Sequence, residues 1–255
     1  MSLTSDVHEF AFYTPVVSEL IIRQAHGNIH EITDPELVHR LIIVLRLEQG
    51  AHFVLFDRNY SMRVVLLGIR SKKSFTIEIL SSTKNPVLTP LITWGLPVLK
   101  REAFEEALYS LCELGVTAIQ PLTTRKTVRS WGDEKELQRA QKILIAAAEQ
   151  AKQFVVPVLL PVLSLESWLN KLDIHSNCHL FFDASGDPLS EVLPKLSKNS
   201  YSELIMLSGP EGDLTTAEKE DLKQHNFIFS KLTPTILRAQ QAVTVGLGVV
   251  RSLYS

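Results

Sequence analysis

Only two of the 255 residues are cysteine, Cys112 and Cys178, far apart and in no Cys-x-x-Cys pair. That scarcity excludes a disulfide framework and a cysteine zinc knuckle. Long apolar runs are missing too: the longest, residues 154–165, holds two prolines and falls short of the roughly 20 residues that cross a bilayer, so no membrane association is expected. Asp6, His8 and Glu9 stand where an export signal would place positive charge and then an apolar core, so none is expected and a cytoplasmic protein fits best. Charge of one sign is also lacking. Lys and Arg number 26 against 28 Asp and Glu, and the pI is near 6.5, which excludes nucleic-acid binding by bulk electrostatics alone while leaving local patches open. There is no Gly-x-Ser-x-Gly elbow, Walker loop or Gly-x-Gly-x-x-Gly, which removes the common hydrolase, P-loop and dinucleotide readings.

What is present is an ordinary globular composition, 45% hydrophobic and 21% charged, long enough for one or two domains with a substantial core. The pattern changes near residues 80–90. Before it, residues 52–57 (HFVLFD), 62–69 (MRVVLLGI) and 74–80 (SFTIEIL) are rich in β-branched and aromatic side chains, with turn signals at Gly50 and Asn59, and read as a small β domain. Residues 81–90 read as the connection. After it strands and helices alternate: strand 91–96, a helix from about 101 to 114 closed by Gly115, strand 116–122, and a helix opened by Asp133 and Glu136. That helix carries Leu137, Ile143, Leu144, Ala147 and Ala151 on one side. Residues 155–162 read as a buried strand, followed by strands at 178–182, 204–207 and 227–232 with helices between. This alternation predicts an α/β fold with a mostly parallel sheet and binding loops at the strand carboxyl ends.

Residues 204–214 (LIMLSGPEGDL) concentrate the interest. An apolar strand runs without a break into Gly-Pro-Glu-Gly, and Thr215 with Glu218 forms a capping box for the next helix, whose N-terminus then points at the loop. By residue chemistry alone the turn is equally a tight connection or a ligand cradle. Two groups suggest metal ligands, His26 with His30 and His175 with Cys178 and His179; neither has a full ligand set, and no metal is expected. A cluster of cations from Lys100 to Lys142 is interleaved with acids, so a solvated helix surface and an RNA-facing patch both stay open. Residues 243–250, with Gly246 and Gly248, suit close packing against either a second subunit or the core.

Five segments in one order, residues 38–57, 112–121 (CELGVTAIQP), 139–157, 208–212 (SGPEG) and 232–242 (LTPTILRAQQA), together resemble the bacterial 16S ribosomal RNA methyltransferase E family of the SPOUT superfamily. The resemblance implies an S-adenosylmethionine-dependent enzyme that methylates uridine N3 in small-subunit ribosomal RNA, acting as a homodimer. It implies a PUA-like β-barrel that helps hold RNA over residues 1–82, and over 83–255 a SPOUT α/β domain with a deep trefoil knot. S-adenosyl-L-methionine would lie among knot loops containing Phe182, Leu207, Ser208, Gly209, Glu211, Gly212, Leu232, Thr233, Ile236 and Leu237. Glu211 or Arg238 would manage the N3 proton and the charge it leaves, and Arg46, Lys100 and Arg139 would serve RNA.

The chain also departs from the family pattern. Asp213 stands in place of a glycine beside the expected cofactor, Thr233 of a glycine, Thr235 of an arginine, Gln240 of a glutamate and Ile43 of an arginine. If the glycine at position 233 served a positive φ, Thr233 is strained or its loop reshaped. The alternative therefore stays open of a SPOUT-fold relative that has lost catalysis or changed target and acts as an RNA- or partner-binding protein.

Overall fold

The computed structural model describes residues 9–23, 27–173, 177–198, 201 and 203–254. It divides into two compact units, Met1–Pro86 with Ala148–Val155, and Val87–Ala147 with Val156–Ser255.

In the first unit, β1 (Phe10–Tyr13), α1 (Val17–Arg23), β2 (Ile29–Thr33), α2 (Pro35–His39), β3 (His52–Phe56), β4 (Tyr60–Ile69) and β5 (Ser74–Lys84) build a five-stranded sheet in the order β1-β3-β4-β5-β2. Only β1 and β3 are parallel; the remaining pairs are antiparallel. Asp57 turns the β3–β4 hairpin, its Oδ1 accepting the Asn59 and Tyr60 N–H groups at 2.7 and 2.8 Å, as an Asx turn requires. Asp34 caps α2 by accepting from Leu37 N–H at 2.9 Å, and Pro35 occupies the first helical position where no donor is lost. A π-helical turn, Arg40–Val44, follows. The core gathers Phe12, Leu41, Phe53, Leu55, Phe75 and Ile77. Because β5 continues to Lys84, the connection expected over residues 81–90 is shorter than its composition implies.

The second unit holds a seven-stranded sheet. Its elements are β6 (Leu91–Pro97), α3 (Arg101–Glu113), β7 (Ala118–Thr123), α4 (Glu134–Ala151, whose last turn groups with the first unit), β8 (Val158–Leu159), β9 (Leu163–Ser164), α5 (Leu165–Leu169), β10 (Cys178–Pro188), α6 (Leu189–Lys198), β11 (Glu203–Ser208), α7 (Thr216–Gln224), β12 (Phe227–Lys231) and α8 (Ala239–Ser252). The order is β12-β10-β11-β6-β7-β8, with β9 also on β7, and every pair is parallel. The predicted α/β class and parallel sheet are what is found.

Local signals explain several boundaries. Gly115 ends α3 with φ +73, the left-handed step that glycine makes without penalty. Asp133 Oδ1 accepts the Glu136 N–H at 2.8 Å at the start of α4, as the sequence predicts. The buried face of α4 is Ala140, Leu144, Ala147 and Ala148 rather than one containing Leu137, which is exposed. The strand expected over residues 155–162 shrinks to the two-residue β8, with the equally short β9 just beyond it. Pro157 and Pro161 offer no N–H to the ladder, and the Pro161 carbonyl accepts from Gln120 Nε2 at 2.6 Å instead. Val243, Gly246, Leu247 and Val250 are buried within the chain on α8. His26 and His175, the outer members of the two weighed metal arrangements, lie outside the described residues.

Candidate active site

The carboxyl ends of β6, β10, β11 and β12 deliver their loops to one cleft of about 770 Å³, where open parallel sheets place ligands. From β6 and the start of α3 come Lys100, Glu102, Ala103 and Glu106; from β10, Phe182 and Asp183; from the turn after β11, Gly209, Pro210, Glu211 and Asp213. Leu232, Thr233, Ile236, Leu237 and Arg238 close the remaining side. The lining holds five carboxylates against three cations, and two of the five, Asp183 and Asp213, pair with Lys219, leaving a small excess of negative charge in a concave site.

Most of the residues singled out in the sequence meet here: Phe182, Gly209, Glu211, Leu232, Thr233, Ile236, Leu237, Arg238 and Lys100. Leu207 and Ser208 do not. Leu207 is fully buried in the core with Leu122 and Phe181, because β11 is flanked by β10 and β6 and covered on both faces. Ser208 is also buried, its Oγ without a partner among the described residues. Gly212 turns away, its carbonyl accepting from Lys126 Nζ at 2.8 Å. Ile236 lies at the rim, 89% exposed, and is not the apolar wall expected of it. Arg46 belongs to the first unit. Arg139, on α4, donates from Nη2 to Glu105 Oε2 at 2.7 Å.

Two side chains hold the turn. Glu211 Oε1 accepts the Lys100 N–H at 2.9 Å, tying the turn to the start of α3, which is the loop-stiffening use of that carboxylate. Its other oxygen has no partner among the described residues. Glu218, in the predicted capping box, is buried. It accepts from Thr215 N–H and Oγ1, both at 2.8 Å, and from Arg125 N–H at 2.7 Å. Burial opposes its charge, but these hydrogen bonds and the nearby Arg125 outweigh that and hold the carboxyl below the usual glutamate range. A carboxyl depressed in the folded state contributes stability above its unfolded pKa of about 4.3, and that contribution is lost as pH falls through the folded value. Glu218→Gln is accordingly expected to lower unfolding free energy by about 2 kcal/mol at neutral pH. Urea titrations should show the gap from the parent protein narrowing below pH ~4; a gap unchanged between pH 7 and 3 would refute the assignment.

The departures read differently in three dimensions. Of the two readings for Thr233, strain or a reshaped loop, the strained one does not apply: the non-glycine residues with positive φ among those described are Arg46, Lys152, Asp213 and Asn226. The left-handed position is Asp213, φ +58, where aspartate is among the side chains that tolerate it. Nor does Asp213 bring an unpaired charge, since its Oδ2 accepts from Lys219 Nζ at 2.8 Å. Thr233 Oγ1 donates to the Thr235 carbonyl at 2.6 Å, stapling its own loop. Asp183 and Lys219 were missed in the sequence. The signal for Asp183 was its place directly after a predicted strand's carboxyl end; Lys219 had none, being one cation on a polar helix.

Residues 87–251 match the family model described as RNA methyltransferase domain. Ribosomal RNA small subunit methyltransferase E from Synechocystis sp. is 31% identical over 85% of this chain and 71% of its own length. The protein of the same name from Rickettsia conorii is 25% identical over 91% and 93%. Among solved structures, ribosomal RNA small subunit methyltransferase E from Neisseria gonorrhoeae bound to S-adenosyl methionine superposes with a TM-score of 0.82 at 25% identity, covering 97% of this chain and 98% of that one. With the family model spanning more than half of the chain and relatives of one kind aligning along nearly all of it, this chain belongs to the ribosomal RNA small subunit methyltransferase E family.

Proposed function

We propose that this protein is an S-adenosylmethionine-dependent methyltransferase of small-subunit (16S) ribosomal RNA, acting on N3 of a uridine. The observation that carries the reading is the cleft at four parallel strand ends, walled by the Gly209–Asp213 turn in a chain of this family. The residues present fit the cofactor. About 770 Å³ lies within the range of small-molecule sites, Gly209 and Pro210 are half-buried at its edge, and the lining carboxylates outnumber the cations even with Lys219 counted, which suits a positively charged sulfonium.

When bound, S-adenosylmethionine supplies an electrophilic methyl group on a positively charged sulfur. The chain's own residues must place N3 in line with that methyl and deal with the N3 proton. Glu211 is fixed through Oε1 by the Lys100 N–H, so its remaining oxygen is held ready to accept the proton. Arg238, at the start of α8, makes no ion pair among the described residues and can face the negative charge that deprotonation leaves on the uracil ring. Phe182, Leu232 and Leu237 would contact the apolar parts of the cofactor. Gly209, Thr233 and Ile236 would edge it, while Leu207, Ser208 and Gly212 support the turn from behind.

The same reading takes the second unit as a SPOUT domain with residues 232–238 in a deep trefoil knot. Its support is that the chain leaves the edge strand β12 through that segment and returns to pack α8 on α3. The first unit, with its largely antiparallel sheet, is taken as the PUA-like β-barrel, and residues 1–82 and 83–255 as the two domains. Arg46, Lys100 and Arg139 would meet RNA phosphates, each through counterion release. Two chains would form a homodimer in the cytoplasm, with exposed Ile236 as one apolar contact.

Calorimetric titration with S-adenosylmethionine tests the cofactor reading, and mass mapping of ribosomal RNA from cells lacking the protein tests the target. No heat of binding would leave the partner-binding alternative; unchanged uridine methylation would assign another RNA. Gly209→Val is expected to weaken cofactor affinity by at least about 100-fold: a Cβ there would lie 3.3 Å from Asp213 Oδ1, and the larger branches would fill cleft space that Gly209 lines. Unaltered affinity would put the pocket elsewhere.

A further inference from the structure

Asp183, Lys219 and Asp213 form a three-membered ion cluster on the cleft wall. Asp183 directly follows Phe182 within β10, and its carboxylate is nearly buried, with 8% of the side chain exposed. Its Oδ1 accepts the Ser185 N–H at 2.9 Å and its Oδ2 accepts from Lys219 Nζ at 2.6 Å. The same ammonium donates to Asp213 Oδ2 at 2.8 Å, and Asp213 Oδ1 accepts the Leu214 N–H at 2.7 Å. One cation on α7 thus connects β10, just past its last pairing with β11 at Phe182, with the turn that leaves the adjacent strand β11. Both connected segments line the cleft.

We propose that Lys219 is a positioning residue for the cofactor site, holding the Asp183 and Gly209–Asp213 segments at a fixed spacing through its two carboxylate partners. The inference rests on the cofactor reading above and adds to it a device that touches neither cofactor nor RNA. Asp213 serves the turn twice, taking its left-handed backbone position, φ +58, and anchoring it through the side chain. The two arms are unequal. Breaking the arm to nearly buried Asp183 leaves a carboxylate uncompensated, whereas the arm to Asp213, whose side chain is 56% exposed, is screened by solvent. Burial opposes charge on both Asp183 and Lys219, yet the hydrogen bonds prevail, moving Asp183 down and Lys219 up; the pair stays ionised at neutral pH.

The test uses the full chain and two readouts. In hydrogen exchange without cofactor, Lys219→Met should speed exchange of the Ser185 and Leu214 amides by about tenfold or more, with the core strands unaffected. Lys219→Arg should restore protection. Asp213→Gly, which keeps the left-handed turn, should speed Leu214 alone. In titration, Lys219→Met should raise the Kd for S-adenosylmethionine by about tenfold while kcat at saturating cofactor changes less than about threefold. Unchanged exchange at both amides, loss of protection throughout the sheet, or a fall in kcat with Kd unmoved would each overturn the proposal. If the parent protein binds no S-adenosylmethionine, the cofactor reading fails, and the exchange data still decide whether Lys219 sets the loop spacing.

Discussion

Gly246→Val is expected to cost about 3 kcal/mol of stability and to abolish cofactor binding, because overpacking a fixed contact forces backbone to move. A Cβ at Gly246 would lie 2.7 Å from Phe182 Cε2 and 3.0 Å from its Cδ2. The ring cannot retreat toward Trp94: Phe182 stacks on it with centroids 5.8 Å apart, and Trp94 is fully buried in β6. Either α8 lifts from α3 and the sheet, or Phe182 swings into the cleft it lines. Both results remove the site. Gly248→Ala is the control two residues away on the same helix, where the nearest atoms to a Cβ are Leu114 methyls at 4.0 Å; it should be neutral or stabilise by up to about 1 kcal/mol, since alanine favours helix. Urea unfolding and calorimetry of both variants check this. A Gly246→Val protein within about 0.5 kcal/mol of its parent would show that α8 does not press on Phe182.

The second large effect is on rate. Arg238→Met should lower kcat by roughly 100-fold, the scale on which removing one group facing developing negative charge acts. Folding should survive, because Arg238 caps α8 through backbone alone and contributes no side-chain cap bond. The Kd for S-adenosylmethionine should change less than about threefold, and the variant's rate should climb with pH as N3 loses its proton without help. Single-turnover assays on a ribosomal RNA fragment over a pH series provide the measurement. A raised Kd with kcat intact would make Arg238 a cofactor contact instead, and identical pH profiles would remove it from charge stabilisation.

These two predictions differ in how far the sequence could have led to them. Arg238 was readable because its segment, Leu232 to Ala242, resembles a known family. The Gly-Pro-Glu-Gly turn was readable for physical reasons: an apolar strand, a glycine-rich break and a Thr215–Glu218 capping box are all local, and each acts within a few residues. The helices α3 and α4 declared themselves in the same way, through Gly115 at one end and Asp133 at the other start. Gly246, by contrast, carried two readings, subunit contact or core, until Phe182 was found opposite it.

Errors fell where partners distant in sequence decide the outcome. Residues 155–162 looked like a single strand because hydrophobicity does not register which carbonyls and amides must meet a neighbour, and two prolines break that ladder. Leu207 and Ser208 are buried instead of lining the cleft, because a continuous apolar run does not say where a strand stops being covered. The left-handed backbone position lies at Asp213 and not at Thr233, since backbone handedness follows from how the loop closes.

By itself, then, the sequence determined the α/β class, the small β region ahead of it, the capped turn at residues 209–218 and, through resemblance, the family. Those rest on periodicity, caps and turn chemistry, which are short-range. Tertiary structure alone decided that β6, β10, β11 and β12 deliver their ends to one cleft, that Glu211 ties its turn to α3, and that Lys219 pairs two carboxylates from neighbouring strand ends. Such pairings depend on strand order, and strand order is set by burying both faces of the whole sheet together.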